Sequence, residues 1–419
     1  MKLRALVVDD TVLFRKVVSD ALATLPDVEI VGTAPNGTAA LGKIRELKPD
    51  LVTLDMEMPG LDGIGVLEQL RPMPSAPGVI VLSAHTVRGG KLTMKALELG
   101  AFDFLTKPNA VGIMDGRDAI AKALAPLVRA FARRREIRNL LRGQSPTGAP
   151  PHTPSVHEPA NPSAPQAQAA GSVREGADRL DSVVHRMSRL LGATRPEMIA
   201  IGVSTGGPNA LAQLLPALPG NLGVPVLIVQ HMPPIFTQSL AESLNGKCAI
   251  RVTEARDGEE AQPNHAYIAP GGRQMKLVPG PAGERILRIT DDPPENNCRP
   301  AVDYLFRSLA NHFPGRTATV ILTGMGSDGT LGLRLMKRHG GLSIAQDEAT
   351  SVVFGMPKEA IAAGVVDVVA PLGQIAGHLC QALRIGRPPS PAAAPTHAAP
   401  GKSSSHPSHH QATPERARP

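Results

Sequence analysis

A serine between glycines is the first group in the sequence whose type and spacing point to chemistry. Residues 202–206 read GVSTG and satisfy the G-x-S-x-G pattern of a nucleophile elbow. An apolar run precedes Ser204 and a helical pattern follows it, which predicts a sharp strand-to-helix turn that lifts the hydroxyl clear of a sheet. Two other interpretations stay open at this point. The segment could be a phosphate-binding loop, although it lacks the P-loop lysine, or a plain turn with Ser204 as helix N-cap.

A histidine and an aspartate in similar positions favour the hydrolytic interpretation. His231 directly follows the apolar run VLIVQ, and Asp328 lies in a glycine-rich turn after the run VILT. Serine needs a base to take its proton, histidine serves near neutral pH, and a carboxylate fixes the imidazole tautomer. The sequence therefore predicts a serine hydrolase. The chain order Ser, His, Asp differs from that of α/β-hydrolases and disfavours that fold.

A second group of polar residues follows apolar runs in the first quarter of the chain. The set comprises Asp9, Asp10, Asp55, Ser83 and Lys107. Three carboxylates repel one another unless a cation is present, and Mg²⁺ is the oxygen-seeking ion that suits them. A carboxylate beside Mg²⁺ and a lysine can accept a phosphoryl group. Any single one of these aspartates could instead be a helix N-cap, but the joint pattern disfavours that interpretation.

Both groups require sheets that bring strand ends together. In residues 1–108, apolar strands alternate with helical patterns, and the strands are Leu3–Val8, Glu29–Ala34, Leu51–Leu54, Val79–Leu82 and Phe102–Leu105. In residues 196–385 the predicted strands are Met198–Val203, Pro225–Gln230, Ala266–Ala269 and Thr319–Thr323, again with helices between them. The alternation predicts an α/β protein with two doubly wound parallel-sheet domains, the first flavodoxin-like and the second Rossmann-like.

Composition predicts how these domains are joined. Residues 145–170 are rich in Pro, Ala, Ser and Gln, and the tail has the same character. A helical pattern around Leu124 continues to about Leu141. We therefore predict a first domain over 1–125, a helical then Pro/Ala-rich linker over 126–195, a second domain over 196–385 and a disordered tail over 386–419.

Charge and cysteine usage limit the classes of protein to which the chain could belong. The net charge of +7 lies in the linker and tail, because residues 1–108 and 196–385 each carry −1. The basic run Arg133–Arg135 suits a solvated helix face better than a nucleic-acid site. Three cysteines form no disulfide framework, and no signal peptide or membrane-spanning stretch is evident. We expect a cytoplasmic protein without nucleic-acid partners or direct membrane insertion.

The first domain resembles the receiver domain of two-component response regulators. The segments VVDDTVLFRK, VTLDMEMPGLDG and FDFLTKP carry the resemblance, with Ser83 in its usual position. It implies phosphorylation of Asp55 by a chemotaxis histidine kinase, with phosphoryl contacts from Ser83 and Lys107. Phe104 takes the position of an aromatic switch residue. The implied Mg²⁺ ligands are Asp9, Asp10, Asp55 and the backbone carbonyl of Glu57.

The second domain resembles the chemotaxis protein-glutamate methylesterases. The segments are IGVSTGGP, VQHMPPIFT, YIAPGG, CRPAVDYLF, LTGMGSDG and QDEATSVVFGMP. The resemblance implies Ser204 as nucleophile, His231 as general base and Asp328 as its orienting acid. It also implies an oxyanion hole from the backbone amides of Thr205 and Met325. One departure is Cys298, which stands where this family would place a histidine.

This resemblance also implies an activity and its control. The enzyme would hydrolyse glutamate methyl esters on chemoreceptors, release methanol, deamidate receptor glutamines and need no cofactor for the hydrolysis. The unphosphorylated first domain would cover the active-site face. Two other classes stay open: a phosphorylation-switched binding module without catalysis, and a DNA-binding regulator. The second lacks a helix-turn-helix and a basic reading face in residues 196–385.

Overall fold

The structure is a computed structural model that describes residues 2–107, 113–141 and 195–385. The Pro/Ala-rich part of the predicted linker and the predicted tail lie outside these residues. The predicted domain boundaries therefore stay predictions. No helix in the described ranges has the length and hydropathy needed to cross a bilayer.

The N-terminal domain is a five-stranded parallel sheet with helices between its strands. The strands are β1 (Leu3–Val8), β2 (Val28–Ala34), β3 (Leu51–Asp55), β4 (Gly78–Ser83) and β5 (Asp103–Thr106). The helices are α1 (Val12–Ala23), α2 (Gly37–Leu47), α3 (Gly63–Leu70), α4 (Val87–Glu98) and α5 (Ile113–Leu141). The strand order is β2-β1-β3-β4-β5, as expected for a flavodoxin-like sheet.

Aliphatic side chains fill both faces of this sheet. Strand β3 is buried along its whole length, and three of its five residues are aliphatic. Helix α5 packs against α1 and contributes Ile120, Leu124 and Phe131 to the core on one face. Phe131 also meets Phe102 edge to face, with ring centroids 5.3 Å apart. The helix predicted around Leu124 is thus part of the domain and not only a bridge to the linker.

The C-terminal domain is a seven-stranded parallel sheet with an added hairpin. Its strands are β6 (Met198–Val203), β7 (Val226–Gln230), β8 (Arg251–Glu254), β9 (His265–Ile268), β10 (Gln274–Pro279), β11 (Arg285–Thr290), β12 (Thr317–Ile321), β13 (Leu342–Gln346) and β14 (Val368–Ala370). Its helices are α6 (Gly207–Leu214), α7 (Phe236–Asn245), α8 (Val302–His312), α9 (Thr330–Arg338), α10 (Met356–Ala362) and α11 (Leu372–Ala382). The sheet order is β14-β13-β12-β6-β7-β9-β8, and β10 pairs antiparallel with β11.

The predicted fold class is confirmed, but the sequence interpretation missed several strands. The four strands predicted in this domain correspond to β6, β7, β9 and β12, while β8, β13, β14 and the hairpin were not predicted. Strand β14 has three residues and β8 has four, of which only one is buried. Such short strands leave too little apolar periodicity to detect.

Candidate active site and acidic cluster

Ser204 lies directly after the central strand β6, in the turn that begins α6. Its backbone amide donates to the carbonyl of Thr323 at 3.0 Å. Gly206 adopts φ +74°, and a Cβ there would lie 2.5 Å from Val352. Both observations require glycine at this position, because other residues would be strained and would also clash. The predicted tight turn after a buried strand is therefore present.

The neighbouring strands bring the predicted partners to the same edge. Val203 pairs with Gln230, so Ser204 and His231 leave β6 and β7 side by side. Asp328 lies in the turn between β12 and α9, on the other side of β6. His231 Nε2 and Asp328 Oδ2 are 2.8 Å apart, so two of the three predicted groups are in direct contact.

Asp328 is held by more than the histidine. Its Oδ2 atom also accepts the amide of Val302 at 2.7 Å, and its Oδ1 atom accepts from the Asn296 side chain at 2.9 Å. The amides of Asp303 and Gly329 donate to Oδ1 as well, each at 3.0 Å. This carboxylate is almost completely buried. Its orientation is therefore fixed, and with it the orientation of the imidazole.

The same contacts set the charges of the pair. Burial alone would lower the pKa of His231, but its interactions with Asp328 and Cys298 raise that pKa from 6.5 to about 9. Burial alone would raise the pKa of Asp328, but its hydrogen bond to His231 and the donated backbone amides keep it below the usual value. The pair therefore favours an imidazolium beside a carboxylate.

The free nitrogen of His231 faces a cysteine. Because Nε2 is engaged with Asp328, Nδ1 is the atom that accepts a proton when the imidazole is neutral, and Cys298 Sγ lies 3.7 Å from it. Within the described part of the chain, no hydrogen bond joins Ser204 Oγ to His231. Catalytic hydrogen bonds are often formed only when substrate is bound, so the missing bond does not argue against the predicted role of Ser204.

Two amide side chains position this site and were not predicted. Gln230 Nε2 donates to the carbonyl of Ser204 at 3.0 Å and to that of His231 at 3.1 Å, so it ties the two strand ends together. Asn296 bridges the carboxylates of Asp303 and Asp328. Gln230 is a polar residue at the end of an apolar run, and this pattern was the signal available in the sequence.

The two residues predicted to form an oxyanion hole lie beside this turn. The Thr205 carbonyl accepts from Thr323 Oγ1 at 2.9 Å, and the Met325 side chain is exposed. A Cβ at Gly324 would lie 2.8 Å from the Cβ of Ser204, so the segment before Met325 passes close to the serine. The proposed role of the two amides stays a prediction.

The acidic cluster of the N-terminal domain lies at the carboxyl edge of its sheet. Lys107 Nζ contacts Asp9 Oδ2 at 2.7 Å and Asp55 Oδ2 at 2.8 Å. Asp10 is exposed, and its carboxylate lies with those of Asp9 and Asp55 within 4.8 Å. Burial raises the pKa of Asp55, although the hydrogen bond from Lys107 acts in the opposite direction.

The cluster fits the predicted cation in its chemistry. Oxygen atoms of three carboxylates converge, and such hard donors suit Mg²⁺. Glu57 directly follows this edge, and its amide donates to Asp55 Oδ1 at 3.4 Å. The Ser83 hydroxyl donates to the Gly89 carbonyl at 3.1 Å and accepts from Thr93, and no hydrogen bond between the described residues joins it to Asp55. A phosphoryl contact from Ser83 would need its side chain to turn.

Comparisons with known proteins identify the family of this chain. The family model described as CheB methylesterase matches residues 199–379, and that described as response regulator receiver domain matches residues 5–115. A protein-glutamate methylesterase/protein-glutamine glutaminase of Desulfotalea psychrophila is 49% identical over 384 residues, which are 91% of this chain and 99% of the relative. The chain belongs to the protein-glutamate methylesterase/protein-glutamine glutaminase family.

A second curated relative and one solved structure are also similar to this chain. A family member from Burkholderia lata is 43% identical and is matched over 89% of this chain and 94% of its own length. The crystal structure of the Thermotoga maritima CheB methylesterase catalytic domain is 43% identical, with a TM-score of 0.44. That match covers 45% of this chain and 99% of the domain.

In this methylesterase-family protein, the two domains meet beside Ser204. Asp103 of β5 accepts the amide of Gly206 at 3.1 Å, two residues beyond the serine. Phe104 stacks on Phe236 of α7, with ring centroids 4.9 Å apart. At the rim, Glu98 of α4 accepts from Lys247 at 2.5 Å. The predicted switch position, Phe104, is therefore an interface residue.

The basic run of α5 also pairs with acidic side chains of the same chain. Arg133 contacts Glu348 of the C-terminal domain at 3.1 Å, and Arg135 contacts Asp50 at 2.8 Å. The Arg134 guanidinium lies 5.9 Å from the centroid of the Phe102 ring. These contacts favour a structural role for the run over a nucleic-acid site.

Proposed function

We propose that this chain is a phosphorylation-activated protein-glutamate methylesterase and protein-glutamine glutaminase, with Ser204, His231 and Asp328 as its catalytic residues. The observation that carries the proposal is the His231–Asp328 pair at 2.8 Å, placed beside the Ser204 turn by adjacent strands. Family membership over most of the chain supports the same activity.

The reaction is acyl transfer. Ser204 Oγ attacks the carbonyl carbon of a glutamate methyl ester while His231 Nδ1 takes its proton, and the amides of Thr205 and Met325 bind the oxyanion. The imidazolium then protonates the departing methoxide, which leaves as methanol. Water attacks the acyl-enzyme with His231 again as base, which yields glutamate and restores the serine. A glutamine side chain follows the same course, with ammonia as the leaving group.

Asp328 makes the base effective. It accepts the Nε2–H of His231, so the lone pair of Nδ1 is directed away from it. Its negative charge stabilises the imidazolium that forms in each step. Because the carboxylate already accepts several other hydrogen bonds, the pair needs little rearrangement during turnover.

Asp55 is the phosphoacceptor in the proposed control, and a chemotaxis histidine kinase is the donor. Mg²⁺ held by Asp9, Asp10, Asp55 and the Glu57 carbonyl would neutralise charge on the incoming phosphoryl group. Lys107 already contacts Asp55 and would contact the phosphoryl oxygens, and Ser83 would do so after turning. We propose a cytoplasmic location for the enzyme, because its proposed kinase and the methylated receptor segments would meet it there.

Strand β5 links this switch to the active site. Lys107 directly follows β5 and contacts Asp55, while Asp103 at the start of β5 binds the turn of Ser204. Phosphorylation changes the charges around Lys107 and shifts the population toward a state in which the Asp103 contact is broken. Without phosphorylation, the N-terminal domain stays in place and covers the active-site edge.

Methanol release from methylated chemoreceptor membranes tests the proposed function. We expect the wild type to release methanol, and to release it faster after treatment with a small-molecule phosphodonor. Asp55→Ala should keep the basal rate and lose the stimulation, because it has no carboxylate to phosphorylate. Absence of methanol in every condition would contradict the enzyme assignment. Full stimulation of Asp55→Ala would contradict the regulatory part.

The interface contact predicts an activating substitution. Asp103→Ala removes the buried carboxylate that accepts the Gly206 amide. A hydrogen bond to a charged group contributes about 1.5–3 kcal/mol, so we expect roughly a 10-fold or larger rise in methanol release without phosphodonor. Asp103→Asn keeps an acceptor and should rise less. A basal rate of Asp103→Ala equal to that of the wild type, with normal stimulated activity, would show that this contact does not hold the domains closed.

A further inference from the structure

The candidate active site contains a cysteine sulfur beside the catalytic histidine, and the proposed hydrolysis does not require it. His231 Nδ1 and Cys298 Sγ face each other at 3.7 Å, and Asp328 completes a group whose ligand atoms all lie within 4.8 Å. Cys298 takes no part in the acyl-transfer steps. It stands in the loop between β11 and α8, which brings it to the one nitrogen of His231 that Asp328 leaves free.

From this arrangement we infer that His231 Nδ1 and Cys298 Sγ form a binding site for Zn²⁺ or a similar borderline-soft divalent cation. Zinc binds histidine nitrogen at about 2.0–2.1 Å and cysteine sulfur at about 2.3 Å, which separates tetrahedral ligands by roughly 3.5 Å. The observed 3.7 Å therefore needs only a few tenths of an ångström of adjustment. The remaining positions on the ion are open to water or to a substrate oxygen.

The contacts of His231 that suit a catalytic base also suit a metal ligand. A metal-binding imidazole usually donates its other N–H to a carboxylate, and His231 Nε2 makes that contact with Asp328. The two oxygens of Asp328 are already occupied by backbone amides, Asn296 and the imidazole. Asp328 therefore orients the ligand and does not bind the ion itself. The protein supplies two ligands, which makes binding reversible by a chelator.

The site is accessible and distinct from the acidic cluster. The His231 side chain is 13% exposed, and Cys298 is half-buried. Binding replaces the thiol proton of Cys298 and the Nδ1 proton of a charged His231 imidazole, and both protons are released to solvent. Nitrogen and sulfur donors favour zinc over magnesium, whereas the carboxylates of Asp9, Asp10 and Asp55 favour magnesium.

Inhibition of the esterase is the expected consequence. A metal on Nδ1 occupies the lone pair that takes the proton of Ser204, so the bound form cannot start acyl transfer. This part rests on the proposed role of His231, whereas metal binding does not. Two readouts therefore separate the two ideas.

The first readout is spectroscopic and needs no activity. Co²⁺ is added to the phosphodonor-treated full chain in excess Mg²⁺, and the thiolate-to-cobalt charge-transfer band is recorded. We expect a band in the wild type, its displacement by Zn²⁺, and its loss in Cys298→Ala and Cys298→Ser. The matched controls Cys248→Ser and Cys380→Ser should keep it. The histidines near the C-terminus cannot produce it, because residues 386–419 contain no cysteine.

The second readout is methanol release during a Zn²⁺ titration, normalised to the metal-free rate of each variant. We expect at least a 10-fold higher inhibitory Zn²⁺ concentration for Cys298→Ala than for the wild type, and full recovery with a chelator. A missing wild-type band, or a band that persists in both Cys298 variants, would overturn the metal site. A Cys298-dependent band without inhibition would support the metal site and overturn the assignment of His231 as base.

Discussion

Ser204→Ala should lower phosphodonor-stimulated methanol release by a factor on the order of 10⁴–10⁶. The substitution removes the only atom that forms the acyl-enzyme in the proposed mechanism, while the His231–Asp328 pair keeps its contact. Loss of a nucleophile that acts together with its base costs about as much as loss of the whole triad. The measurement is the initial rate of methanol release from methylated receptor membranes at saturating phosphodonor.

Ser327→Ala is the matched control for this experiment. Ser327 is an exposed serine immediately before Asp328, so it lies in the same turn without a place in the mechanism. We expect its rate to stay within about 10-fold of the wild type, in line with the small effects of most surface substitutions. Phosphorylation of Asp55 should be normal in both variants. A Ser204→Ala enzyme with wild-type turnover would contradict the assignment of the nucleophile.

Asp328→Asn should lower the rate on the order of 10⁴-fold, the loss known for a serine protease with the equivalent change. An amide cannot replace this carboxylate, because both oxygens accept hydrogen bonds. Oδ2 faces His231 and the amide of Val302, whereas Oδ1 faces Asn296 and two backbone amides. In either orientation of the asparagine, its NH₂ group would face N–H donors of its neighbours. The imidazole would then lose its fixed tautomer.

The pH dependence of the same variants provides an independent test. In the wild type the pKa of His231 is raised to about 9, and only neutral His231 acts as base, so the rate should increase as pH rises toward that value. Removal of the Asp328 charge lowers this pKa, so the residual activity of Asp328→Asn should reach its plateau at a lower pH. Asp303→Asn is the control, because Asp303 shares Asn296 with Asp328 but does not contact His231. A pH profile unchanged in Asp328→Asn would show that the pair does not govern the base.

The places of the candidate active-site residues in the fold could be predicted from the sequence because they follow buried strands. Ser204 and His231 end apolar runs whose parallel pairing places them side by side. Asp328 could be placed in a turn from its glycines. Gln230 was overlooked, although a glutamine that ends a buried strand needs partners for its amide N–H groups, and these donate to the Ser204 and His231 carbonyls.

The features that were missed depend on contacts distant in sequence. Asn296 and the contact of Cys298 with His231 come from the loop after the β10–β11 hairpin, and that hairpin was itself not predicted. The Asp103 carboxylate accepts the Gly206 amide only because the two domains pack together. The Ser83 hydroxyl donates to the Gly89 carbonyl and accepts from Thr93, and a sequence cannot fix a rotamer of this kind.

The Asp103–Gly206 contact also has a consequence for the order of events in signalling. A coupling free energy between two sites acts equally in both directions. If phosphorylation of Asp55 weakens the hold of β5 on the Ser204 turn, then a receptor segment that occupies this turn must favour the phosphorylated form by the same amount. Receptors with many methylated side chains would thus help to recruit their own demethylating enzyme into its active state. Adaptation would then depend on substrate abundance as well as on the kinase.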